Sequence, residues 1–238
     1  MEDSGSVFPD TSWGVVCAVR LRDPSERRAG LETLCRRYGG PIQHFLRAAF
    51  RLGLEEARDL TQDFFLWLLE GDVLARYAPE LGSFRAYLRG LLRNYGRNAM
   101  RAERRQKRGG GARALPLEAA AGAGGPDPDL EEAERAFDRA WVLDLTGRAI
   151  ERLRVACARA NDPRQALRWA VFEAYDLAPE EARPTYAALA ERHGIGEKDV
   201  SNHLQAMRER LRREVRAELA DTVASPRDLE EEWRAFLG

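Results

Sequence analysis

An all-α protein of two helical domains joined by a flexible linker is the fold class this sequence predicts, and three observations predict it. Alanine, leucine, arginine and glutamate dominate the 238 residues while β-branched residues are sparse, so helix propensity is high almost everywhere. Apolar residues recur three and four apart in segment after segment, the period of a helix with one buried face. The stretch GGGARALPLEAAAGAGGPDPD, residues 109–129, breaks that pattern with glycine, alanine and proline and no sustained period. It separates an N-terminal domain, 1–108, from a C-terminal domain, 130–220, with an acidic tail over 221–238.

Taken in order, the N-terminal half predicts helices near 25–38, 41–52, 54–70 and 84–106. Gly39-Gly40-Pro41, Gly53, Gly71 and Pro79 punctuate them, and Ser83 is placed to cap the last. The C-terminal half predicts helices near 130–158, 163–177, 185–193 and 197–219, broken at Asn161-Asp162-Pro163 and between Pro179 and Pro184.

With 44% hydrophobic and 32% charged residues the chain reads as globular and soluble. No apolar stretch approaches the roughly 18 residues of a membrane span, and MEDSGSVFPD lacks the basic-then-apolar design of a leader. A cytoplasmic protein without membrane insertion is therefore expected. Cys17, Cys35 and Cys157 are far apart with no CxxC, which signals neither a disulfide framework nor zinc. Cys35 and Cys157 fall in apolar helical patterns and are expected as core thiols, with Trp141, Trp169 and Phe172 beside them as core aromatics. A metal-dependent phosphohydrolase needs clustered histidines and acids, yet only His44, His193 and His203 exist. No metal site, cofactor or enzymatic activity is expected.

The segment EEARDLTQDFFLWLLE, residues 55–70, carries more apolar surface than one stripe can bury. On a helical wheel Ala57, Leu60, Phe64, Trp67 and Leu68 form a core face, flanked by Phe65 and Leu69. Glu55, Asp59, Gln62 and Asp63 occupy the far side with Leu66 among them. Two buried faces are implied, one inside the domain and one against a partner. Thr61 sits at their border. An unmodified, packed threonine is the favoured reading there; the rival is a site for a regulating kinase, where a phosphate would add about −1.5 to −2 charge.

The net charge of −1 hides segregation, because RNAMRAERRQKRGGGAR at 97–113 has Glu103 as its only acid while the segment after it is acidic. In FRAYLRGLLRNYGRNAMRAERR, Phe84, Leu88, Leu91, Leu92 and Tyr95 make a buried stripe. Arg85, Arg89, Arg93, Arg97 and Arg101 follow every four residues on the other side, continuing into Arg104 and Arg105. A ladder without interleaved acids repels itself, whereas phosphates would take charge-assisted contacts from each rung. A nucleic-acid face is expected over a merely solvated one.

Residues 185–213, TYAALAERHGIGEKDVSNHLQAMRERLRR, have helix-turn-helix spacing. Thr185 caps the first helix, Ala190 permits close approach, Gly194 supplies a positive φ and Ile195 plugs the corner. Val200, Leu204, Met207 and Leu211 then face inward, leaving Lys198, Ser201, Asn202, His203, Gln205 and Arg208 for the groove of a duplex.

Together these segments resemble the bacterial extracytoplasmic-function sigma factors, promoter-recognition subunits of RNA polymerase. EEARDLTQDFFLWLLE is similar to the pattern D-A-E-D-L-V-Q-E-x-F of the family's second conserved region, with Arg58 where an acid is usual. FRAYLRGLLRN is similar to F-R-x-W-L-x-x-I-A-R-N, which adds Asn94 to the arginines. TYAALAERHGIGEKDVSNHLQAMRERL is similar to the region that reads the minus-thirty-five element. The resemblance implies a region 2 bundle and a region 4 helix-turn-helix. It implies that the 55–70 helix docks on the clamp helices of the largest subunit of core RNA polymerase. It also implies that the arginine helix holds the minus-ten element, and that promoter DNA and an anti-sigma factor are partners. The rival reading is a stand-alone helix-turn-helix regulator, which leaves the arginine ladder and the 55–70 helix without a role.

Overall fold

The computed structural model describes residues 24–70, 73–78, 82–106, 128–223 and 225–237. Among them all regular structure is helical: α1 Pro24–Phe50, α2 Leu54–Glu70, α3 Phe84–Gln106, α4 Pro128–Arg159, α5 Pro163–Asp176, α6 Tyr186–His193, α7 Glu197–Ala220 and α8 Pro226–Leu237. Short 3-10 turns lie at Leu74–Arg76 and Glu180–Ala182. No described helix is long and apolar enough to cross a membrane. Residues 109–127 of the expected linker and the cysteine at 17 lie outside the described residues; Pro128 and Asp129 already belong to α4.

The break expected at Gly39-Gly40-Pro41 does not occur, and α1 runs through it as one helix with Pro41 inside. Proline removes one intrahelical hydrogen bond and disfavours the preceding turn. Against that stand Leu34, Tyr38, Ile42, Phe45 and Leu46, all buried, which keep one apolar stripe continuous across the proline. Tertiary burial outweighs the local breaker.

The chain forms two compact units, 1–144 with 219–238, and 145–218. In the first, α1 packs against α2 and α3. Tyr38 meets Phe84 edge-on at 5.5 Å, and Phe64 of α2 meets Tyr95 of α3 at 5.1 Å. The first turns of α4 join this core through Leu130, Ala133, Phe137 and Trp141, all buried. Gly96 lets them come close: a Cβ there would stand 3.2 Å from Leu130 Cδ2 and 3.6 Å from Phe45 Cε1. The tail is not an appendage, since Arg37 of α1 donates to the Asp221 backbone carbonyl and α8 is held through Glu232.

In the second unit Leu153 and Cys157 of α4, Val171 and Phe172 of α5, Leu189 and Ala190 of α6, and Val200, Leu204 and Met207 of α7 share one core. Cys157 is buried as expected, but Cys35 is exposed, one residue round α1 from the Leu34–Tyr38 stripe. Trp141 and Phe172 are core residues, and Trp169 packs at the core's margin.

Candidate nucleic-acid interface

Three of the ladder arginines reach acids from other helices. Arg85 donates to Asp138 Oδ1 at 2.8 Å and to Glu232 Oε2 at 2.6 Å, with its guanidinium 4.4 Å from the centre of the Trp141 ring. Arg89 donates to Asp138 Oδ2 at 2.7 Å, and Arg93 donates to Glu134. The hydrogen bond from Arg93 to Glu134 pushes the guanidinium pKa further above its already high value. The self-repulsion expected of an acid-free ladder is therefore relieved inside the protein: the missing acids lie on α4 and α8, far away in sequence. Arg97 also has an interaction partner, and α3 continues past Arg101, Arg104 and Arg105 to Gln106. Asn94 is half-buried beside the ladder. Ser83 accepts from the Ala86 N–H at 3.3 Å, as its capping role requires, and donates to Glu232 Oε1 at 2.6 Å.

On α2 the wheel holds. Ala57, Thr61, Phe64, Phe65 and Leu68 are buried, so Phe65 belongs to the inner face, while Leu60, Trp67 and Leu69 are half-buried. Glu55, Asp59, Gln62 and Asp63 are exposed, and Leu66 stands out among them at 55% exposure, while Leu54 is exposed at the first position of the helix. Thr61 donates its hydroxyl to the Ala57 carbonyl at 2.7 Å and is buried, the geometry of a packed threonine.

The corner between α6 and α7 in the second unit is built around Thr185, Ala190, Gly194 and Ile195, the residues its sequence nominated. Thr185 Oγ1 accepts the Ala188 N–H at 3.2 Å to start α6. Gly194 ends it at φ 64°, and the Ile195 N–H returns to the Ala190 carbonyl at 3.0 Å. Asp199 Oδ2 then caps the turn into α7 by accepting the Gly196 N–H at 3.3 Å. Lys198, Ser201, Asn202 and Gln205 are exposed on α7, with Gln205 Nε2 donating to Glu209 at 3.2 Å. Arg208 is exposed too, yet it makes a two-pronged ion pair with Asp176 at 2.9 and 2.8 Å. His203 is half-buried, and its pKa is lowered first by burial and then by the nearby charge of Arg168, with Arg164 adding to it and Asp199 opposing. Sequence reasoning missed that pair of α5 arginines. Their four-residue spacing places them on one helical face, and it was the available signal.

Comparison of the chain with protein-family models, with curated proteins and with solved structures gives no significant match.

Proposed function

We propose that the protein is an alternative sigma factor that binds core RNA polymerase in the cytoplasm and directs promoter recognition. The observation that carries the reading is the corner at Gly194, which holds the polar residues of α7 outward over a packed core, as a duplex-reading helix requires. The resemblance of residues 55–94 supplies the polymerase half. The exposed acidic face of α2, with Leu66 at its centre, supports docking on a partner helix pair. The mechanism is binding energy alone: α2 docks on the clamp helices, α3 meets the minus-ten element and its unstacked strand, and α7 reads the upstream duplex. Bond formation belongs to the core enzyme. A regulator that occludes these faces is a further partner this reading implies.

A stand-alone helix-turn-helix regulator is the second reading, favoured by the ion pairs that occupy Arg85, Arg89 and Arg93. Transcription in vitro with core polymerase on a randomised promoter library separates the two. A bound core and a bipartite, non-palindromic footprint are expected. Failure to bind core at any salt concentration overturns the first reading.

A further inference from the structure

We infer that α4 and α8 form an acidic strap over the first three rungs of the arginine ladder of α3, so that nucleic acid reaches Arg85, Arg89 and Arg93 only by displacing the chain's own carboxylates. The inference rests on the reading of the ladder as a nucleic-acid contact. Its geometry lies within the first compact unit. Ascending α3 from Arg85 to Arg93 descends α4 from Asp138 to Glu134, so the two rows run antiparallel, with Asp138 bridging Arg85 and Arg89 and Glu134 taking Arg93. Glu134 and Asp138 stand one helical repeat of four apart, about 6 Å along the axis. They present to the arginines a row of negative charge, as a phosphate backbone does. Glu232 of α8 closes the Arg85 end: it is 9% exposed and divides its carboxylate between Arg85 and Ser83.

The rungs differ in how tightly they are held. The Arg93 side chain is 46% exposed and has one carboxylate, whereas that of Arg85 is 15% exposed and has two carboxylates and the Trp141 face. Solvent screens the first pair and shields the second little. The strap therefore opens from Arg93, and α8 is its latch.

The test compares the full chain with its Glu134→Gln, Asp138→Asn, Glu232→Gln variant in binding a fluorescein-labelled single-stranded oligodeoxythymidylate, a ligand chosen to avoid the duplex-reading helix. The amides keep their hydrogen-bond acceptors and lose the charge. Three released arginines steepen the slope of log K against log salt by about 2 and tighten low-salt binding by roughly tenfold or more. Adding Arg85→Ala, Arg89→Ala and Arg93→Ala to that variant returns it to the starting slope. A variant with unchanged helical circular dichroism and an unchanged slope overturns the strap. Should the triple variant lose helix, Glu232→Gln alone carries the test with a steepening of up to about 0.7, and a flat response overturns it. Core polymerase binding is measured on the same proteins. A steeper slope without core binding keeps the strap and removes the sigma reading; core binding with a flat slope does the reverse.

Discussion

Gly194 carries a requirement that no neighbour imposes. Its φ of 64° lies in the left-handed region, and a Cβ built there meets nothing within 4 Å. Gly194→Ala therefore isolates the backbone cost, about 1–2 kcal/mol, and should lower the denaturant midpoint of the second unit without changing its fold. Gly194→Asn should lose less, since asparagine tolerates this region. His203 gives a second expectation at this scale. Burial first, and the charge of Arg168 second, depress its pKa below the ordinary imidazole value. The folded protein then binds its proton less readily than the unfolded chain. Above the ordinary value both states are neutral and stability is unaffected; as pH falls below about 6.5 the unfolded chain gains protons first and stability declines. A denaturant midpoint followed from neutral to acid pH should fall less steeply in His203→Gln, and NMR titration should place the wild-type imidazole below its usual value. No difference between the two profiles would contradict the burial argument. Both residues stand in the sequence where their roles need them, but only the fold shows that Arg164 and Arg168 face the histidine.

Periodicity carried most of the element reading. The start of α3 and the end of α6 were legible because Ser83 and Gly194 combine a cap or turn requirement with an apolar stripe beside it. α1 was not legible as one helix, because Gly39-Gly40-Pro41 are local breakers and the burial that overrides them comes from other helices. Cys35 misled for a related reason: in a long helix, one position separates the buried stripe from solvent. The outward face of α2 was legible because Glu55, Asp59, Gln62 and Asp63 recur on one side of the wheel with Leu66 among them. If that face docks on polymerase, Leu66→Asp places a carboxylate in the contact without disturbing the buried Phe64 and Leu68. Affinity for core should drop roughly tenfold or more while helix content and thermal midpoint stay close to wild type. Loss of core binding through Arg58→Glu in place of Leu66→Asp would move the centre of the contact to the start of α2.

At the scale of the whole molecule, a net charge of −1 conceals a basic helix and the distant acids that meet it. The sequence separates the two by tens of residues, so a ladder without acids in its own segment read as an open polyanion site. Folding brings Glu134, Asp138 and Glu232 onto it, a match of charge rows that chain order conceals. The consequence for stability is uneven. Removing Arg93 deletes a half-exposed pair worth about 0–1 kcal/mol. Removing Arg85 leaves the buried Glu232 carboxylate with Ser83 as its remaining hydrogen-bond donor here and strips Asp138 of one of two partners. Breaking a buried pair by taking away one partner costs on the order of 3–5 kcal/mol, because the charge left behind stays desolvated. Arg85→Met should therefore lower stability by about 3 kcal/mol, whereas Arg85→Met with Glu232→Leu should recover much of that loss. Chemical denaturation of the two single variants and the double variant gives the coupling directly. Additive losses would show that Arg85 and Glu232 act independently, and α8 would then be a packed helix with no hold on the ladder.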